Sequence, residues 1–346
     1  MNRTPLVSIA MPTLNRKRFI PMAVDSILAQ TFPDWELIVS DGGSKDGTLE
    51  ILDRYASGDN RVRVFRHPGL DTAAARNAIL GEARGAFLAV LDSDDLARPE
   101  RLEMQLAALR RNPGLIGVGS DIDFVDDDGN PIVAAKYKQR LNDPDRIRQK
   151  QREGWNCFVH SSMLLRLEAV LEAGGYRPFF SHAEDDDLFL RLLDKGDLAN
   201  LPEKLVSFRC HRENSWRPGR IEYRVAALAS AHLRLSGLPD PVDTRNTPLD
   251  NAFLASLLEK LGKASLPVRL CWIGYLQHQG EKTPQLDKIW QDVLGMALQR
   301  EYSDEILRHW RKCREDFPDI AARLHRNRPG QEPPDTIGRW LAAIDN

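Results

Sequence analysis

Cysteine is scarce: Cys157, Cys210, Cys271 and Cys313 stand far apart with no Cys-x-x-Cys pair. That spacing argues against a zinc site or a disulfide framework and suits reduced thiols in the cytoplasm. Long apolar runs are also missing. No stretch approaches the ~18 apolar residues of a membrane span, and the first run, Leu6 to Met11, stops at Pro12, short for the apolar segment of a secretory signal. A cytoplasmic protein is expected, with peripheral membrane contact left open. Neither charge is in excess: 48 basic residues face 50 acidic ones, a formal charge of −2, so no global field recruits nucleic acid. Internal repeats and low-complexity tracts are absent.

What is present is an ordered alternation. Leu6–Met11, Trp35–Ser40, Val62–Phe65 and Ala86–Leu91 are short apolar runs. Segments of helical periodicity separate them: Phe19–Gln30, Thr48–Tyr55 and Thr72–Ala83, the last preceded by the capping candidate Asp71. Strands and helices at this spacing imply βαβ units, a parallel sheet and right-handed crossovers. Further on, Pro99–Asn112 reads as a helix, Ile116–Ser120 and Leu205–Phe208 as strands, and Asp126–Asn130 as a hairpin turn. A calcium loop there fails, because counting back from Gly129 puts Phe124 at the first ligand position and Ala135 at the twelfth. Lys136 to Arg152 carries seven basic residues, read as a solvated helix over a phosphate-binding one. From about Arg220 strand signals vanish and helical segments follow: Ile221–Leu235, Pro248–Leu261, Pro267–Gln277, Leu286–Arg300 and Asp304–Arg314. The expected organisation is an α/β domain over residues 1–219 and a helical region over 220–346.

The chemistry concentrates in two places. The run Ala86–Leu91 is apolar without a break, as in a strand buried on both faces, and ends in Asp92-Ser93-Asp94-Asp95. Carboxylates crowded at the C-terminal end of a parallel strand raise each other's pKa, and a hard cation such as Mg²⁺ or Mn²⁺ relieves this; the alternative is an acidic turn before a helix. The second place is Glu184-Asp185-Asp186-Asp187. Asp185, Leu188, Phe189 and Leu192 fall on one helical face, so Asp185 is expected inward as an available base, with Asp186 and Asp187 pointing elsewhere to complement the helix N-terminus.

Four pieces together resemble the family 2 glycosyltransferases of the A-type fold, over Pro5 to about Ser215. They are Val7-Ser8-Ile9-Ala10-Met11-Pro12-Thr13-Leu14-Asn15-Arg16, then Val39 to Thr48, then Ala75-Arg76-Asn77 leading to Leu91-Asp92-Ser93-Asp94-Asp95, and finally Ala183-Glu184-Asp185. The resemblance implies a mostly parallel sheet flanked by helices and a nucleoside-diphosphate sugar donor. It places Pro12, Thr13, Asn15, Asp41, Arg76, Asp92 and Ser93 around the nucleotide. Asp94, with Asp95 and His211, would hold Mn²⁺ or Mg²⁺, and Asp185 would be the general base of an inverting transfer. The implied acceptor is a saccharide or lipid-linked saccharide, as in surface polysaccharide or lipopolysaccharide synthesis at the inner membrane face; a homodimer is a further expectation to test.

Two positions depart from the family: Gly42 stands where a second aspartate is common, and Asp186 where an aromatic is. Rival readings are weaker. A nucleotidyltransferase would carry a Gly-rich basic loop where Pro12-Thr13-Leu14-Asn15-Arg16 stands, and an Asp-x-Asp phosphatase would want Thr or Val at Leu96. A nucleotide-sugar-binding scaffold without turnover is the non-enzymatic alternative, and release of nucleoside diphosphate discriminates.

Overall fold

The computed structural model describes residues 4–132, 140–180, 182–211, 221–240, 242, 249, 251–261, 266–278 and 289. Its first half follows the alternation in the sequence: β1 (Val7–Thr13), α1 (Ile20–Leu28), β2 (Trp35–Asp41), α2 (Thr48–Gly58), β3 (Val62–Arg66), α3 (Thr72–Glu82) and β4 (Phe87–Val90). β2 pairs in parallel with β1 and β3, and β1 in parallel with β4. The polar ends of β1 and β2 come level, Thr13 opposite Asp41, so the loops leaving β1, β2 and β4 open on one edge, where such sheets bind ligands. Asp71 caps α3 as expected, its carboxylate accepting the Ala74 amide.

Side-chain alternation along the strands supplies two cores. Val7, Ile9 and Met11 pack with Ile20, Val24 and Ile27 of α1 on one face, together with Leu102 and Leu106. Ala10, Ile38, Leu88 and Val90 join Ile79 of α3, Leu188 and Phe189 on the other. Both faces are therefore covered, which is why these strands read as continuous apolar runs.

Beyond β4 come β5 (Leu96–Ala97), α4 (Arg101–Arg111), β6 (Leu115–Val125), β7 (Pro131–Ile132), α5 (Pro144–Arg152), β8 (Leu164–Arg166), α6 (Leu167–Glu172), α7 (Glu184–Leu192) and β9 (Asp197–Arg209). The sheet order is β3-β2-β1-β4-β8-β6-β9-β5, with β7 on β6. Most of the ladder is parallel, including the long β6–β9 pair. β8 enters antiparallel between β4 and β6, and β5 antiparallel to β9. Asp126–Asn130 is the expected hairpin turn, closed by the Asp126 amide donating to the Asn130 carbonyl.

The basic stretch differs from expectation. Among its described residues helix starts at Pro144, and Arg148 and Arg152 are not left to solvent but pair with Asp197 and Asp194. Lys136 to Gln139 lie outside the described residues.

The chain divides into two compact units, Met1–Arg217 with Asp243–Arg245, and Pro218–Val242 with Asn246–Asn346. The described part of the second is helical: α8 (Ile221–Leu235), α9 (Asn251–Leu261) and α10 (Leu266–His278), with Leu228, Leu254, Leu257 and Trp272 buried. Nearly all of the expected helices Leu286–Arg300 and Asp304–Arg314 falls outside the described residues, as do Cys313, Trp290, Trp310 and Trp340. No described helix is long and apolar enough to cross a membrane.

Candidate active site

The site begins with two loops knitted to each other. Asn15, leaving β1, adopts a left-handed φ of 53°, a conformation that asparagine tolerates better than most residues. Its amide donates to Ser44 Oγ at 2.8 Å and its side chain accepts the Lys45 amide at 2.9 Å. Arg16 and Lys17 amides donate to Thr48 and Asp46. The Asp41 carboxylate turns into its own loop, accepting the amides of Gly43 and Ser44 and the Ser44 hydroxyl. Thr13 Oγ1, opposite Asp41, is buried and has no hydrogen-bond partner in the described residues; such orphans are rare in folded proteins. Pro12 is half-buried beside it.

The loop after β4 is held from below. Asp95 is only 1 % exposed, its Oδ1 accepting the Arg209 amide at 2.9 Å. Burial, reinforced by the charges of Asp94 and Asp92, pushes its carboxyl well above the usual range. The Arg209 guanidinium, fully buried, donates to the carbonyls of Asp94 (2.7 Å), Asp126 (2.9 Å) and Asp127 (2.8 Å). It thereby ties the acidic loop to the β6–β7 turn. Ser93 is buried, and the Asp92 amide donates to Ser161 Oγ at 2.7 Å. Asp94 is the member that reaches out: its Oδ2 accepts from His211 Nε2 at 3.0 Å and lies 3.4 Å from Arg16 Nε. Burial alone would raise Asp94, but the His211 hydrogen bond and the Arg16 charge outweigh it and hold the carboxyl low. The His211 ring packs on Phe19 at 4.6 Å between centroids.

Arg76 joins the two acidic clusters. Nearly buried, it donates from Nη2 to Asp92 Oδ1 at 2.9 Å, and its Nε lies 3.6 Å from Glu184 Oε1. Its Nη1 is buried without a partner among the described residues, and its guanidinium sits 5.7 Å from the Tyr176 ring centroid. Burial opposes its charge, yet Asp92 and the carboxylates beyond keep it firmly protonated. Burial and the charge of Asp185 push Glu184 up to about 8. Asp185 keeps a window to solvent, but the protein around it and the charge of Asp186 raise its carboxyl to about 6, against the Asp186 amide hydrogen bond. At neutral pH that group is mostly ionised and still basic enough to accept a proton.

One expectation is corrected here. Asp187 does more than complement the helix N-terminus beside Asp186; it is the deepest of the four, fully buried between Arg177 and Arg191. Position i+4 supplies Arg191, and the loop before α7 folds back to supply Arg177. Asp186 is held by the Gln151 amide at 3.1 Å. Glu184, Arg16, Arg209 and Ser161 are site-building residues that the sequence reading gave no role. Only Glu184, adjacent to the candidate base, and Arg16, at the end of the first motif, carried any local signal.

Among the described residues no three His, Cys, Asp or Glu side chains form a cage for an ion. Asp94 and His211, both oxygen or nitrogen donors facing an arginine, fit instead an ion shared with a bound anion, the usual mode of Mg²⁺ with phosphates.

Comparison with known proteins gives consistent results. The family model described as glycosyl transferase family 2 matches residues 8–174. The putative glycosyltransferase EpsE of Bacillus subtilis is 32% identical over 60% of this chain and 74% of its own length. The O-antigen biosynthesis glycosyltransferase WbnJ of Escherichia coli is 29% identical, over 65% of this chain and 87% of its own. Hyaluronan synthase of Pasteurella multocida is 31% identical over 62% of this chain, but the match spans only 21% of that enzyme. Among solved structures, S. aureus TarS in complex with UDP-GlcNAc has a TM-score of 0.56 at 16% identity, covering 94% of this chain and 93% of that one. The mannosyltransferase PcManGT of Pyrobaculum calidifontis, in complex with GDP-Man and Mn²⁺, has a TM-score of 0.51 at 17% identity over 93% and 88%. With four motifs in register on an A-type glycosyltransferase sheet, the chain belongs to glycosyl transferase family 2.

Proposed function

We propose that residues 1–219 form the catalytic domain of an inverting glycosyltransferase that moves a sugar from a nucleoside-diphosphate donor to an acceptor hydroxyl in polysaccharide synthesis. The observation that carries this reading is Arg76 spanning Asp92 and Glu184, which sets a donor-side carboxylate and the candidate base Asp185 around one cation. The orphaned Thr13 Oγ1 and Arg76 Nη1 support a polar ligand between the loops after β1, β2 and β4. The UDP-GlcNAc and GDP-Man complexes of structural neighbours agree with a nucleotide sugar.

Thr13, Asn15 and Asp41 shape the nucleotide end, and Asp92 the ribose. Asp94 and His211 would hold Mn²⁺ or Mg²⁺, which when bound offsets negative charge developing on the diphosphate. Asp95 supports that loop from beneath. Asp185 takes the proton of the acceptor hydroxyl as its oxygen bonds to the anomeric carbon. The bond from that carbon to the diphosphate breaks on the opposite side, its electron pair leaving with the phosphate oxygen. Attack opposite departure turns an α-linked donor into a β-linked product.

A thermal-shift screen of nucleoside diphosphates and their sugars, with and without Mn²⁺, tests the reading. A ligand at a hundred times its Kd stabilises by about 2.7 kcal/mol, or at least about 5 °C in a domain of this size. The expected result is such a shift for one nucleotide class, larger with Mn²⁺, and release of nucleoside diphosphate when acceptor is added. No shift with any nucleotide would remove the reading; a shift without turnover would favour the scaffold.

The rate should also report on Asp185. Because its carboxyl is raised to about 6, the base is lost to protonation as pH falls through that value, so kcat/KM, which reports the free enzyme, declines on the acid side about two units above an ordinary aspartate. Glu184 and Asp185 interact, so the limb belongs to the pair. A kcat/KM profile that stays level down to about pH 4 would exclude Asp185 as the base.

A further inference from the structure

The segment joining α6 to α7 holds two consecutive glycines in the left-handed region, Gly174 at φ 84° and Gly175 at φ 66°. Glycine takes such angles at little cost and leaves them as readily. The reversal by itself therefore does not fix where α7, with Asp185 in its first turn, stands against the loop after β4. Pairing in the sheet does not fix it either, since the segment belongs to no strand. Side chains do. Asn77 of α3 donates from Nδ2 to the Tyr176 carbonyl at 2.6 Å, and its Oδ1 accepts the Tyr176 amide at 2.9 Å. One side chain thus takes up both polar groups of one backbone residue, as a neighbouring strand would. The fit has no slack: a Cβ added at Gly175 would stand 2.7 Å from Asn77 Oδ1.

From this clamp two contacts lead into α7. The next residue, Arg177, donates from Nε to Asp187 Oδ2 at 3.0 Å, and Arg191 reaches back to the Gly175 carbonyl at 2.7 Å. Asp187 lies two residues after Asp185. On the other side, Asn77 follows Arg76, whose Nη2 donates to Asp92 at 2.9 Å. Helix α3 therefore grips the acidic loop with one residue and the approach to α7 with the next. The direct link between the two acidic clusters is looser, with Arg76 Nε 3.6 Å from Glu184 Oε1, beyond hydrogen-bond length. The two-point clamp, more than that link, sets the distance between the donor side and the base.

We propose that Asn77 is a positioning residue for sugar transfer: by clamping the Tyr176 backbone it fixes α7, and Asp185 with it, at reacting distance from a donor held by the loop after β4. This rests on the glycosyltransferase reading with Asp185 as its base, and adds the residue that sets the gap into which the acceptor hydroxyl fits. Asn77 touches no reacting group. Loosening it keeps every reacting side chain and spoils their alignment, where a displacement of about 1 Å costs about 10²-fold in rate.

The test compares the full chain as wild type, Asn77→Ala and Gly175→Ala. The glycine variant attacks the same clamp from the opposite side, its Cβ pressing on Asn77 Oδ1. Three quantities are read: the thermal shift with nucleoside diphosphate, kcat and donor KM for transfer, and amide hydrogen exchange in the segment joining α6 to α7 and in β1 and β2. Both variants should lower kcat by about 10- to 100-fold with donor KM within about twofold of wild type. Nucleotide shifts stay as in wild type, and exchange quickens in the joining segment while the strands remain protected. A residue needed only for folding would instead lose protection in the strands and leave kcat per folded molecule unchanged. A kcat within about threefold of wild type, or a loss carried by donor KM in its place, overturns the positioning role. If Asn77→Ala loses protection across the strands, Gly175→Ala decides by the same criteria. Should the wild type bind no nucleotide, the glycosyltransferase reading falls and this role with it; should the wild type transfer sugar and the variants match it, only the role of Asn77 falls.

Discussion

Asp185→Asn leaves nucleotide binding and melting temperature close to wild type and lowers transfer by about 10³-fold, within the range for loss of a positioned base. The substitution keeps the shape of the side chain and the acceptor oxygen that receives the Asp186 amide at 2.9 Å. What it removes is the proton-accepting charge. Asp185 makes no ion pair of its own with Arg76, whose described partners are Asp92 and Glu184, so the donor side keeps its cation. Burial raises the Asp185 carboxyl, so its neutralisation relieves a desolvation cost, and Tm should hold or rise slightly. The measurement is nucleoside diphosphate release with saturating donor and acceptor, alongside thermal shift with nucleotide. Transfer within about tenfold of wild type would take Asp185 out of the chemistry, and lost nucleotide binding would make it a donor contact instead.

How much of this was legible in the sequence depended on where each signal came from. β1, β2 and β4 were readable because strands buried on both faces give unbroken apolar runs, and their polar ends marked the site. β8, with Leu164-Leu165-Arg166, carried too little pattern to be seen; it exists because β4 and β6 each offer it an edge. β6 was read as ending at Ser120 but continues to Val125, because its Asp121 and Asp123 stay paired along β9. The acidic residues of the site were all visible, but which of them turn outward and which turn under the loop was not. Asp94 and Asp95 are neighbours, and only the tertiary contacts of Arg209 decide that Asp95 turns under the loop. Periodicity grouped Asp185 with the apolar face of α7, and no local rule could announce that Arg177, ten residues earlier on a loop, would draw Asp187 inward.

That buried aspartate sets the second large expectation. Asp187→Ala should destabilise the protein by about 3–5 kcal/mol, the usual cost of removing one partner from a buried ion pair, and lower Tm by roughly 6–20 °C. Its carboxylate, 1 % exposed, receives Arg191 Nε at 2.9 Å and Nη2 at 2.7 Å, and Arg177 Nε at 3.0 Å. Without it two guanidinium groups are left with little water to solvate them. The damage spreads beyond the pair, since Arg191 also donates to the carbonyls of Ala173 and Gly175. Through them it pins the segment whose Tyr176 packs on Arg76 and holds His160 Nε2 at 2.9 Å. Asp187→Asn keeps the volume but not the charge and should fall between wild type and Ala. Scored by Tm and by transfer together, Asp187 variants lose both while Asp185→Asn loses only transfer. An Asp187→Ala protein that melts within about 2 °C of wild type would mean that solvent or other groups rescue the arginines, and that this triad does not anchor α7.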